Sequence, residues 1–131
     1  MIIGLGNDLV DIRRIEDSLE RFGERFVAKV FTEEEKATAE RRVGAARSGA
    51  YAKRFAAKEA LVKALGKQGV GWRDIEVRND GEGRPCLRLS GGAAALLARR
   101  IPEGMQARLH LTLTDEYPLA QAVVIIEAVP A

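Results

Sequence analysis

Arg54-Phe55-Ala56-Ala57-Lys58-Glu59-Ala60-Leu61-Val62-Lys63-Ala64-Leu65-Gly66 is a run of strong helix formers closed by a glycine. At about 100° per residue it separates two apolar stripes. Ala57, Ala60, Leu61, Ala64 and Leu65 make one; Ala52, Phe55, Ala56 and Val62 make a nearly opposite one, with Glu59 inside it. A helix apolar on both sides is expected to be covered on both. A carboxylate in such a place has to be paired, protonated or bound to a metal.

A second acid stands near the start, in Gly4-Leu5-Gly6-Asn7-Asp8-Leu9-Val10-Asp11. Residues 2–10 read as a strand, so alternation puts Gly4, Gly6 and Asp8 on one face. Two glycines beside an acid leave room for a ligand or metal to approach the backbone.

Around these segments the pattern predicts helices over 12–22 (N-capped by Asp11), about 32–42 (a Thr32–Glu35 capping box) and about 50–65, with a loop at Gly44, Ser48 and Gly49. Strands follow at about 74–78 and 86–89, joined through Asn79-Asp80-Gly81-Glu82-Gly83-Arg84-Pro85. A helix over about 91–100 precedes a half-buried strand, in which Leu109, Leu111 and Leu113 alternate with His110, Thr112 and Thr114. An apolar return strand covers 120–128. The order implies one α+β domain over residues 1–131, an antiparallel sheet packed on helices.

The 131 residues carry a net charge of +2, and 47% are apolar, as in a globular protein. Cys86 is the single cysteine, so no internal disulfide framework exists; this fits a reducing, cytoplasmic setting, and Cys86 reads as a packing residue. Asn7, Asp8 and Asp11 interrupt the N-terminal apolar run, so no secretory signal is expected. No apolar run approaches the roughly 20 residues that span a bilayer. Arg14, Ser18, Arg21 and Arg25 recur at helical spacing on one outward stripe, suited to an acidic helix or a phosphate backbone, or simply to solvent. Few aromatic residues and no stacking platform argue against nucleic acid.

Taken together, Gly-x-Gly-x-Asp and Arg54-Phe-Ala-Ala-Lys58-Glu59-Ala-x-x-Lys63-Ala-x-Gly66 resemble the holo-acyl-carrier-protein synthase family of 4′-phosphopantetheinyl transferases. Trp72–Asp80 with Gly83-Arg84-Pro85, and His110-Leu-Thr-Leu-Thr-Asp115, extend the resemblance over most of the chain. Asp115 departs from it, since many members have His there. The resemblance implies Mg²⁺-dependent transfer of the phosphopantetheine arm from coenzyme A to a serine of acyl carrier protein, releasing adenosine 3′,5′-bisphosphate and serving fatty acid biosynthesis. It makes Asp8 and Glu59 the metal ligands. Lys63, four residues after Glu59 in the order that favours an intrahelical pair, would orient Glu59 and also meet a phosphate. Arg54 and Lys58 would bind the diphosphate or the 3′-phosphate. Arg84, His110 and Thr112 would line the coenzyme A pocket, and Arg14, Arg21 and Arg25 would hold the acidic carrier protein. The general base is Glu59, a metal-bound water or Asp115. Assembly as a homotrimer with sites between subunits is expected.

Overall fold

A computed structural model describes residues 1–131. Strand β1 (Ile2–Asp11) leads into helices α1 (Ile12–Phe22), α2 (Glu24–Val30), α3 (Glu33–Glu40) and α4 (Gly44–Leu65). A 3₁₀ turn (Trp72–Asp74) precedes β2 (Ile75–Asn79) and β3 (Pro85–Leu89); α5 (Gly91–Arg100), β4 (Met105–Glu116) and β5 (Leu119–Pro130) complete the chain. The architecture is α+β, and all strand pairs are antiparallel. They form two sheets: β1-β5-β4, and the separate β2-β3 hairpin.

α4 lies across the inner face of the larger sheet. That face is made of Ala120, Ala122, Val124 and Ile126 of β5, all buried, opposite Val10, Asp8, Gly6 and Gly4 of β1. Small side chains let helix and strand approach closely. A Cβ at Gly6 would stand 1.7 Å from the Ala60 carbonyl oxygen, and one at Gly4 would stand 2.1 Å from that of Ala64. The room beside Asp8 is therefore filled by helix backbone, not left for a ligand.

Three local expectations change. α2 appears after Gly23, whose φ of 51° breaks the helix, and it is only seven residues long, too short for a clear period. Gly44–Gly49 is helical: Ser48 is buried and bonds Glu16 on α1, while Gly49 packs against the Asp115 carboxylate, 3.3 Å from where its Cβ would be. Arg25 belongs to α2, so the arginine stripe is not on a single helix. The capping box at Thr32–Glu35 forms as read.

Gly6→Ala should cost more than about 4 kcal/mol or prevent folding, because backbone must move from backbone. Gly81→Ala, with open space around it, should be near neutral in the same chemical denaturation series.

Candidate active site

The approach of β1 to α4 brings two acids and a lysine together. Asp8 is the next inward residue after Gly4 and Gly6, with 14% of its side chain exposed. Lys63 Nζ donates to Asp8 Oδ1 and to the Asn7 carbonyl oxygen, both at 3.0 Å. Lys63 thus pairs with Asp8 rather than with Glu59, contrary to the pairing read from their four-residue spacing. The strand offers Lys63 both a carboxylate and a carbonyl.

Glu59 is half-buried and has no hydrogen-bond or ion-pair partner. Burial, then the Asp8 charge, push its carboxyl above the usual range; Lys63 opposes them. Two neighbouring carboxylates, Asp8 held by Lys63 and Glu59 unpartnered, offer oxygen donors of the kind that suit a hard divalent cation such as Mg²⁺.

Lys58, next in sequence, points elsewhere and is fully buried. Its ammonium donates to Glu35 Oε1 at 2.8 Å, to the Trp72 carbonyl at 2.9 Å and to the Ile75 carbonyl. All three donors are spent, so Lys58 cannot take a phosphate; it ties α4 to α3 and to the start of β2. Glu35, read only as a helix cap, also accepts from Thr32 and Val77 backbone N–H groups. The capping box was its only signal in sequence.

Arg54 is also buried, 7% exposed, and lines a cavity with Thr38, Arg41 and Val77, which Asp8 does not line. Arg84, His110 and Thr112 do converge. They line a cavity of about 520 Å³ between β4 and the β2–β3 turn, with Pro85 and Cys86 in its wall. His110 Nε2 lies 2.9 Å from Glu127 Oε1, and this contact lowers the Glu127 carboxyl. Asp115 is ion-paired with Lys53 at 3.1 Å.

Register separates the two groups. Asp8, Ala122 and Leu113 stand in one row on the inner face, whereas His110 pairs with Ile125, whose other neighbour is the outward Leu5. His110 and Thr112 therefore lie on the opposite face of the sheet from Asp8 and Glu59. That outer face carries Leu5 at 64% exposure and Leu9 at 59%.

Around α1, Arg14 lines a cavity of about 460 Å³ floored by Val10, Ile15, Phe26 and Phe55. Arg25 lines a neighbouring one that shares Ser18 and Phe26 with it. Arg21 is exposed, 3.6 Å from Asp17. The apolar floor was not read from sequence, because Phe26 and Phe55 come from α2 and α4.

The family model of the 4′-phosphopantetheinyl transferase superfamily matches residues 4–122. The chain belongs to that superfamily, among the holo-[acyl-carrier-protein] synthases. A synthase of that name from Paramagnetospirillum magneticum is 86% identical over 131 residues, covering all of both chains. One from Methylorubrum populi is 65% identical over 133 residues, covering 99% of this chain and 96% of the relative. Among solved structures, the Chronobacterium ammoniagenes synthase in complex with coenzyme A superposes with a TM-score of 0.81 at 33% identity, covering 94% of this chain and 95% of that one. The Bacillus anthracis synthase with coenzyme A (3′,5′-ADP) gives 0.76 at 33% identity, covering 96% of each.

A raised carboxyl favours the fold while protonated. The benefit is full below the ordinary value of 4.5 and is lost as pH rises through the folded value. In metal-free buffer, Glu59→Gln should therefore melt above wild type at pH 7, and the gap should close below pH 4.5. Calorimetry across that range checks it.

Proposed function

We propose that this synthase moves 4′-phosphopantetheine from coenzyme A to a serine of an acidic acyl carrier protein, with Mg²⁺, in the cytoplasm and in support of fatty acid biosynthesis. The observation that carries the reading is the pairing of Asp8 with Lys63 beside the unpartnered Glu59, in a chain so similar to known synthases. No helix is long and apolar enough to cross a membrane, in keeping with soluble substrates.

In the proposed reaction the serine oxygen attacks the β-phosphorus, its proton leaves, and the bond to the adenosine bisphosphate oxygen breaks. Bound through Asp8 and Glu59, Mg²⁺ would neutralise charge on the diphosphate. Lys63, held by Asp8 and the Asn7 carbonyl, is oriented to meet a phosphate oxygen. Asp115 is engaged by Lys53, which leaves Glu59 or a metal-bound water to accept the serine proton. Arg84, His110 and Thr112 would hold the nucleotide. Arg14, Arg21 and Arg25, around the Phe26 and Phe55 floor, suit an acidic amphipathic helix of the carrier.

A homotrimer is part of the proposal. The sheet separates the His110 pocket from the Asp8–Glu59 pair, so one coenzyme A could meet both only if two chains contribute. The exposed Leu5 and Leu9 provide apolar surface for such contact.

Incubation with coenzyme A and apo-carrier protein should add one phosphopantetheine mass to the carrier. Asp8→Ala should lower kcat/KM at least about 10²-fold, and EDTA should abolish turnover. The assembly should scatter light as about 43 kDa, three times the 14.3 kDa chain. Mixed trimers of Asp8→Ala and His110→Ala should regain activity that neither parent has; failure to regain it would exclude a shared site.

Arg14→Glu should raise the KM for carrier protein at least about tenfold and leave that for coenzyme A near wild type, as expected for charge steering. Equal increases in both constants would remove the arginines from carrier binding.

A further inference from the structure

Glu16 on α1 gives both carboxylate oxygens to hydroxyl groups of other elements. Its Oε2 accepts from Ser48 of α4 at 3.1 Å, and its Oε1 accepts from Tyr117, in the turn between β4 and β5, at 2.8 Å. The buried Ser48 hydroxyl lies nearer to Glu16 than to the Ala45 and Gly44 carbonyls, at 3.3 and 3.4 Å. No cation pairs with Glu16, because the neighbouring Arg13 is taken by Asp11 at 2.7 Å. The bond from Tyr117 holds that phenol above its ordinary value of 10.0. Hydroxyl groups donating to a carboxylate make charge-assisted bonds, stronger than neutral ones.

These bonds close a triangle. The Ile12 backbone N–H, at the start of α1, donates to the Pro118 carbonyl of the same turn at 2.7 Å. Asp115, where β4 runs into the turn, pairs with Lys53 of α4 at 3.1 Å. So α1 is joined to the turn, the turn to α4, and α1 directly to α4, with Glu16 at two of these joints. The same α4 carries Phe55, in the floor of the Arg14 cavity, and Glu59. Arg14 and Glu16 are two residues apart, about 200° around the helix, and Glu16 is not in the wall of that cavity. A change at Glu16 therefore reaches a docked carrier only through the angle of α1.

We propose that Glu16 is a positioning residue for the transfer. It sets the angle of α1 against α4, and with it both the shape of the cavity between Arg14, Phe26 and Phe55 and the bearing of that cavity on Asp8 and Glu59. A carrier helix docked on α1 is thereby aligned with the acids, and the role rests on the function proposed above. The arginines supply attraction, which governs encounter; Glu16 supplies alignment, which governs reaction once the carrier is held.

Steady-state kinetics of the whole protein with coenzyme A, Mg²⁺ and apo-carrier protein test this, at a temperature where circular dichroism shows each variant folded. Glu16→Ala should lower kcat/KM for carrier protein about tenfold, the scale of losing one charge-assisted bond, and leave the KM for coenzyme A near wild type. Glu16→Gln, which keeps one acceptor oxygen, should fall between Glu16→Ala and wild type. Tyr117→Phe removes only an exposed hydroxyl and should lower the same constant severalfold, so the test survives if Glu16→Ala does not fold. Coupling is the decisive readout. In Arg14→Glu the carrier no longer grips α1, so adding Tyr117→Phe should cost little more. Fully additive losses would overturn the positioning role. So would a lowered Tm with unchanged kcat/KM for carrier, or equal rises in both KM values. Fluorescence anisotropy of labelled apo-carrier protein, without coenzyme A, separates this role from the function beneath it. Carrier binding that weakens in Glu16→Ala, in a protein that transfers nothing, would retain the role and overturn the proposed function. Wild-type binding and transfer in both Glu16→Ala and Tyr117→Phe would overturn the role alone.

Discussion

The contact on which the rest depends is backbone against backbone: β1 at Gly4 and Gly6 against α4 at Ala64 and Ala60. No side chain fits between them. This fixes the distance between strand and helix and also their register, because any slip would bring a Cβ from β1 against a helix carbonyl. The next inward residue of β1 is Asp8. It arrives beside the helix at the level where Lys63 and Glu59 project. The site is thus a consequence of a packing constraint, and the acid pair shares the rigidity of the core.

Neighbouring residues on α4 have opposite fates because the helix is covered on more than one side. Glu59 faces the strand and a partly open flank. Lys58, about 100° away, enters a closed space between α3 and β2 and meets Glu35. Removing either partner of such a buried pair leaves an uncompensated charge, at about 3–5 kcal/mol. The pair locks the turn before β2 to α4, since the Trp72 and Ile75 carbonyls share the same ammonium. Phe55 stacks on Trp72 at 5.2 Å and reinforces that junction.

The three-stranded sheet divides the functional residues. Its inner face builds the acid–lysine site, and its outer face carries His110, Thr112 and an exposed apolar strip. The exposed Leu5 and Leu9 on the outer face, among polar neighbours, leave apolar surface in water. In the proposed homotrimer a second copy of the chain would cover this strip and bring the two halves of the proposed site together.

Sequence alone determined the features that depend on local order. Period two placed Gly4, Gly6 and Asp8 on one face; period 3.6 separated the stripes of α4; turn chemistry marked the Asn79–Pro85 hairpin; and the family motifs pointed to the synthase class that the comparisons then showed. Contacts between distant segments were decided only in three dimensions. Lys63 prefers Asp8, 55 positions away, over Glu59 four residues away, because folding presents it with a carboxylate and a carbonyl at once. Lys58 and Arg54, four residues apart, read in sequence as a pair of cations open to a phosphate, since no local pattern announces that α3 and β2 will cover them. Their desolvation, and the separate cavity that Arg54 lines, arise from packing between elements that are far apart in the chain, to which spacing along one helix is blind.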